Sequence, residues 1–288
     1  MERLRELALR ALERLRAGLR LGLTRFRLIR GLHRRFDAVV TRASAPLMKR
    51  PVRVAAYGFD FWVDPADRQV SLDLLRSHRY EPVETDLFER AARPRMVVVD
   101  AGANLGVYTF LAARAVGDAG RVVAIEPNPS MFGLLSRNVL ENGMRNVDLV
   151  CKAVGSGAGE MPLYRVPGHP ALASLSSANA RASTDRIVVE VATLDSLLAG
   201  LEIDRVDLMK IDTQGAELEV LEGGCEMIER DRPLLFIEYW PAGLRGMNHD
   251  PRELLARLVA WGYVLSLVED PESALSVADV ERASGQGA

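Results

Sequence analysis

The chain of 288 residues is 48% apolar and 26% charged, with a net charge of −2 and two cysteines. That composition fits a soluble globular enzyme with a sizeable core. It excludes a disulfide scaffold and a cysteine metal cluster and, with no run near ~18 apolar residues, a membrane span. The cysteine usage and the lack of a signal-peptide core at the N-terminus point to a reducing, cytoplasmic setting.

Residues 1–50 read as a basic, amphipathic helical extension. Within 1–36, eleven arginines stand against Glu2, Glu6 and Glu13, so this stretch is near +8 and the remainder near −10. Leu4, Leu7, Leu12, Leu15, Leu19, Leu23, Phe26 and Ile29 recur at helical steps. Three uses stand open: packing on the main domain or on a second copy, peripheral contact with a membrane surface, and nucleic-acid binding. The absence of interleaved aromatics weighs against the last. Lys49, Lys152 and Lys210 are the only lysines, so part of the arginine excess is compositional.

Residues 51–94 form a β-hairpin and helical lead-in: 52–64 alternate and turn near Gly58, 66–77 look helical, and a short helix presents Leu87, Phe88 and Ala91 before Pro94. From Met96, strands and helices alternate. Strands are predicted at 96–100, 121–126, 147–154, 206–211, 234–239 and 263–268, with helices at 105–116, 130–142, 216–229 and 251–260. Two β-like runs within 160–193 flank a Ser/Ala/Asn-rich stretch, 171–184, expected to be a mobile surface loop. Residues 271–288 form a weakly patterned tail expected to fray. The alternation predicts an α/β fold with a mostly parallel sheet, whose ligand sits beyond the carboxyl ends of the strands.

Four strand ends carry acid: Asp100 in "VVVDAGANLG", Glu126 in "VVAIEPNP", Asp212 in "KIDTQG" and Glu238 in "FIEYWP". A buried acid is costly without a partner, so four on one edge point to a polar, partly cationic ligand. Gly102, Asn104 and Gly106 fail the G-x-G-x-x-G spacing of a dinucleotide site, although glycines here free the loop to pass close to a ligand. A carboxylate at Asp100 suits an ammonium and a sulfonium better than a pyrophosphate. Glu126 is placed to take two ribose hydroxyls. Together these describe S-adenosylmethionine.

The blocks "VVVDAGANLGVYTFLAA", "VVAIEPNPSMFGLLSRNVLENGMRNVDLVCKAVG", "VDLMKIDTQGAELEVLEGG" and "RPLLFIEYWP" resemble the FkbM family of S-adenosylmethionine-dependent methyltransferases over roughly residues 81–240. The resemblance implies a class I methyltransferase fold, Rossmann-like and three-layered, with a mostly parallel sheet ending in an antiparallel hairpin, over residues 95–270. It implies activity on hydroxyls of polyketides and sugars. It carries Asp100, Gly102, Asn104 and Gly106 to the cofactor loop, Glu126 to the ribose, Glu81 to the cofactor's amino group and Asn128 to an adenine edge. Gln214 stands where the family pattern more often has Glu, which puts a catalytic acid there in doubt.

Methyl transfer to oxygen needs the acceptor in line with the sulfur–methyl bond and a group to take its proton. Asp212, Glu238 and His249 are the candidate bases, with Lys210 and Tyr239 as orienting groups. His249 also reads as part of a turn before a helix capped by Asp250. Asp212, Glu238 and His249 could in principle gather Mg²⁺, but their spacing is not diagnostic and no metal is assigned. Cys151 and Cys225 read as packing residues. The expected acceptor is a hydroxyl of a carbohydrate or other secondary metabolite. An NAD-dependent oxidoreductase, an RNA ribose methyltransferase and a cofactor-binding module without catalysis are the rival readings.

Overall fold

The structure, a computed structural model, describes residues 51–167 and 169–284. The basic extension predicted for residues 1–50 lies outside the described residues, and so do its expected uses. Strands β1 (Val52–Ala56) and β2 (Phe59–Val63) pair antiparallel about Tyr57 and Gly58, both in the left-handed region. That is the backbone a two-residue hairpin turn requires. Helices α1 (Val70–Ser77) and α2 (Pro82–Ala91) follow.

The centre is a five-stranded parallel sheet. Its members are β3 (Val97–Ala101), β4 (Arg121–Ile125), β5 (Val147–Val150), β9 (Leu208–Ile211) and β10 (Leu234–Ile237), in the order β10-β9-β3-β4-β5. Helices α3 (Val107–Val116) and α4 (Pro129–Glu141) make the crossovers after β3 and β4. One face of the sheet, with Val99, Ala101, Val123 and Ile125, packs on α5 (Leu194–Gly200), α6 (Glu217–Gly223), α7 (Cys225–Asp231) and α9 (Pro251–Ala260). The opposite face, with Val98, Val122 and Ala124, packs on α2, α3 and α4. This is the three-layer arrangement of a class I methyltransferase, and it follows from strands buried on both faces reading as continuous apolar runs. The chain runs outward from β3 in both directions, so the strand order reverses between β3 and β9. A crevice opens at such a point.

Several elements depart from the sequence expectation. The strand expected over 147–154 breaks at Cys151 and Lys152. Its end, β6 (Ala153–Val154), joins a separate three-stranded sheet with β8 (Arg186–Ala192) and β7 (Gly159–Tyr164). Cys151 is consequently exposed rather than packed. The helix expected over 216–229 is two helices parted at Gly224, beside Gly223, where two poor helix formers adjoin. The stretch 171–184 is held rather than loose: Ser174, Leu175 and Ala180 are buried within it. The antiparallel hairpin β11 (Leu265–Leu267) and β12 (Asp270–Leu275) exists but forms its own sheet instead of extending the five strands. Beyond it the segment expected to fray forms α10 (Val277–Ala283), stopped at its start by a reciprocal cap between Ser276 and Asp279. Helix α8 (Pro241–Gly246) completes the set between β10 and α9.

Candidate functional site

A cleft open to solvent lies over the carboxyl ends of β9, β3, β4 and β5. The turn Gly102–Ala103–Asn104 forms its floor, with Glu126 and Pro127 on one side and Lys210, Asp212 and Gln214 on the other. Tyr80 and Tyr108 stand at one wall. Ala171, Ser174 and Leu175 of the 165–185 insertion line it as well.

Strand alternation decides which of the acids reaches this space. Asp100 shares the α3-facing side of β3 with Val98, so its carboxylate turns away from the strand tip. It is 0% exposed and accepts a hydrogen bond from Thr109 Oγ1 of α3 at 2.7 Å. The expected contact between Asp100 and a ligand is therefore corrected: Asp100 does not line the cleft. Lys210 is its cross-strand neighbour on β9, with Nζ 3.9 Å from Asp100 Oδ1 and 3.3 Å from Asp212 Oδ2. The ammonium also lies 4.7 Å from the centre of the Tyr108 ring, a cation–π contact. Burial pulls the Lys210 pKa down, but Asp212, Asp100 and Glu81 together outweigh it and hold the pKa above its ordinary value. Burial raises Asp100, against the lowering pull of Lys210 and Thr109.

Glu126 stands one residue beyond β4 and is 7% exposed at the cleft surface. Its Oε2 accepts the Asn104 N–H at 2.9 Å and its Oε1 accepts the Asn128 N–H at 2.8 Å. Among the described residues no cation pairs with it, and burial pushes its carboxyl up to about 7 against those two backbone bonds. Each oxygen retains a lone pair for a further donor, which is what a vicinal diol supplies. Asn104 holds φ 54 and uses its side-chain oxygen on the Leu105 N–H, fixing the turn below Glu126.

Gly102 is required by the protein rather than by a ligand. At φ 85, a Cβ there would lie 1.8 Å from the Asp212 carbonyl oxygen, so its absence lets the turn pack on the tip of β9. Gly106 does not line the cleft; it lies against Leu135 of α4. The expected close approach to a ligand is therefore corrected for Gly106 alone, since Gly102 also lines the cleft floor.

Among the three candidate bases only Asp212 lines the cleft. Its side chain is 24% exposed. Burial acts to raise its pKa, but Lys210 and the Gln214 amide overcome this and hold Asp212 below its ordinary value. Gln214 Nε2 donates to Asp212 Oδ1 at 2.9 Å and to Glu238 Oε2 at 3.2 Å. The amide thus bridges two carboxylates at a position where a third would repel both. Glu238, the outer carboxylate of this bridge, is exposed, and desolvation of its inner side together with Asp212 pushes its carboxyl up to about 9. His249 is elsewhere: its Nε2 lies 3.1 Å from Glu219 Oε1 of α6, whose other oxygen accepts from Ser156 Oγ. Asp212, Glu238 and His249 therefore do not assemble as a set. Tyr239 lines a separate apolar groove beside β10.

The remaining expected contacts are also displaced. Glu81, at φ 41, accepts the Tyr108 hydroxyl at 2.8 Å behind the cleft wall, and burial raises its carboxyl. Asn128 caps α4, accepting the Ser130 N–H at 3.2 Å, and does not line the cleft. Tyr80, Tyr108 and Lys152 also line it, and no sequence motif marks them. The rarity of lysine could have singled out Lys152, which pairs with Glu190 of β8.

The donor set suits S-adenosylmethionine. Glu126 would hold the ribose, and the Gly102–Asn104 turn would lie beneath the methionyl chain, near Lys210. The Glu126 lone pairs left over after two backbone bonds, at the cleft surface, are the observation that meets a neutral diol.

The sequence profile of the methyltransferase FkbM domain matches residues 100–265, more than half of the chain. Methyltransferase sdnD of Sordaria araneosa is 31% identical over 179 residues, covering 51% of this chain and 68% of that protein. Methyltransferase 1 of Beauveria bassiana (strain ARSEF 2860) is 27% identical over 143 residues, covering 44% of this chain and 57% of that protein. Among solved structures, M. jannaschii TYW2 in complex with AdoMet overlaps 35% of this chain and 43% of its own, with 25% identity and a TM-score of 0.30.

Proposed function

The chain belongs to the FkbM methyltransferase family and uses S-adenosylmethionine; we propose that it methylates a hydroxyl oxygen of a carbohydrate or other secondary metabolite. The observation that carries this reading is the isolation of Asp212: of three candidate bases, it alone faces the cleft, ionised and braced from two sides. When bound, S-adenosylmethionine supplies a methyl group activated by its sulfonium.

The chain's own residues then have separable tasks. Asp212 accepts the hydrogen bond of the acceptor hydroxyl and takes its proton as the carbon–oxygen bond forms. A carboxylate below its ordinary pKa is a weak base, so its contribution is orientation with late proton removal, within the ~10²–10⁴-fold range of general-base effects. Lys210 stays protonated among its three carboxylates and fixes the second Asp212 oxygen. Gln214 fixes the first. The apolar surface of Val70, Leu163, Pro170, Ala171 and Leu175, relieved by Gln69 and Ser174, suits a neutral acceptor better than a polyanion.

The test is a screen of hydroxylated acceptors with methyl-labelled cofactor, followed by Asp212→Asn on the best acceptor. A label lost from the product on mild alkaline hydrolysis would mark an ester and overturn methylation of a hydroxyl. Undiminished transfer by Asp212→Asn would overturn the role of Asp212.

A further inference from the structure

The insertion between β7 and β8 is fastened to the tip of β9 through side-chain donors. Asn179 Nδ2 donates to the Gln214 carbonyl oxygen at 3.0 Å and to the Gly243 carbonyl oxygen at 2.8 Å. Ser174 Oγ donates to the same Gln214 oxygen at 2.8 Å. The space around Asn179 is cut to its shape: a Cβ on Gly215 would lie 2.3 Å from its Nδ2, and a Cβ on Gly246 would lie 1.8 Å from its Oδ1. Gln214 itself holds φ 55, a left-handed conformation that a non-glycine residue keeps only when its surroundings hold it. Two donors converging on its carbonyl provide that hold. From this fixed backbone its side chain reaches back to Asp212 and Glu238.

We propose that Asn179 is a positioning residue: by fixing the Gln214 backbone, it keeps the Gln214 amide on the Asp212 carboxylate, so that the insertion governs the state of the group that meets the acceptor. This rests on the reading of Asp212 given above. The charge around Asp212 comes from every neighbouring element. Lys210, on its own strand, favours the ionised form. Glu238 beyond β10, hydrogen-bonded to it, acts the same way, whereas Asp100 on β3, Glu126 beyond β4, Glu217 on α6 and Glu81 ahead of α2 carry like charge and oppose it. Tyr80 also faces Asp212. In that crowd of acids a single amide donor has leverage, because an N–H bond to a carboxylate favours the ionised form.

The experiment reads Asp212 directly. Full-length protein carrying ¹³Cγ-labelled aspartate is titrated by NMR, with the Asp212 signal assigned by its loss in Asp212→Asn. Asn179→Ala is expected to raise the Asp212 midpoint by about one pH unit, the size of one charge-assisted hydrogen bond. Gly246→Ala, which displaces Asn179 without altering it, is expected to shift it the same way. Gln214→Leu sets the full effect, and adding Asn179→Ala to it is expected to shift the midpoint no further. Calorimetric affinity for S-adenosylhomocysteine should stay within about threefold in Asn179→Ala and Gly246→Ala, which shows that both are folded. If Asn179→Ala does not fold, Gly246→Ala and the milder Ser174→Ala carry the test. A midpoint unmoved in the folded variants while Gln214→Leu moves it would overturn the proposal, and so would additive shifts in the double variant. Full transfer by Asp212→Asn would instead count against the catalytic reading and leave the measured midpoints standing.

Discussion

Glu126 and Asp212 stand at the tips of strands on either side of β3, both facing the same cleft, yet they are held in opposite ways. Glu126 has only backbone donors, and burial pushes its carboxyl up to about 7. Asp212 has a lysine and an amide, and is held below its ordinary value. Topology alone does not assign a job to an acid at a strand end; its immediate partners do. A carboxylate facing neutral donors is suited to bind neutral hydroxyls, and one clamped by a cation is suited to remain charged beside a reacting group.

The comparison can be broken most sharply at Asp212. Asp212→Asn is expected to cut methyl transfer by about 10²–10⁴-fold once an acceptor is in hand, as measured by label incorporation. Glu126→Gln removes the charge from two bonds to a ribose diol and is expected to weaken S-adenosylhomocysteine binding by about 100-fold, as measured by calorimetry. The two sites should also differ in pH response. The Glu126 carboxyl rises from 4.5 to about 7 on folding, so the unfolded chain ionises first as pH increases. Between those values the stability of the free protein should fall with rising pH, while affinity for S-adenosylhomocysteine should climb and level off above about 7. Glu126→Gln should abolish both trends, and a flat affinity profile in the wild type would show that the carboxylate does not hold the ribose.

A structural link between the two tips gives the next effect. Gly102→Ala places a methyl group against the Asp212 carbonyl at a left-handed backbone position and is expected to cost about 2–4 kcal/mol of stability, read by denaturant unfolding. The smallest effect is expected at His249. His249→Ala loses one partly buried contact to Glu219, worth about 1 kcal/mol, and should leave transfer within about twofold. A hundredfold loss of transfer there would return His249 to the list of bases.

Much of this was legible in the chain. The apolar runs of 96–100 and 121–126 and the helical spacing after each mark the central strands, and the acids at their ends mark the ligand side. What local pattern does not carry is the direction of a side chain at a strand tip. Asp100 and Glu126 look alike in sequence, but alternation turns Asp100 onto Thr109 while Glu126, one residue past its strand, reaches the cleft. The Ser/Ala/Asn-rich stretch was misleading for a related reason. Its composition reads as a loose loop, whereas Ser174 and Asn179 bond to carbonyls about 35–40 residues away, partners that no local window contains. Gln214 was legible as a departure from the acid the family pattern favours, but its purpose shows only once Asp212 and Glu238 lie on either side of it.

The division of labour between the two strand tips is tested most directly by calorimetric titration of wild type, Glu126→Gln and Asp212→Asn with S-adenosylhomocysteine. The account predicts saturable binding by the wild type, a loss of about 100-fold in Glu126→Gln and an affinity within a few-fold of wild type in Asp212→Asn. Equal, severe losses in both variants would contradict it, because they would make the two carboxylates a single binding unit.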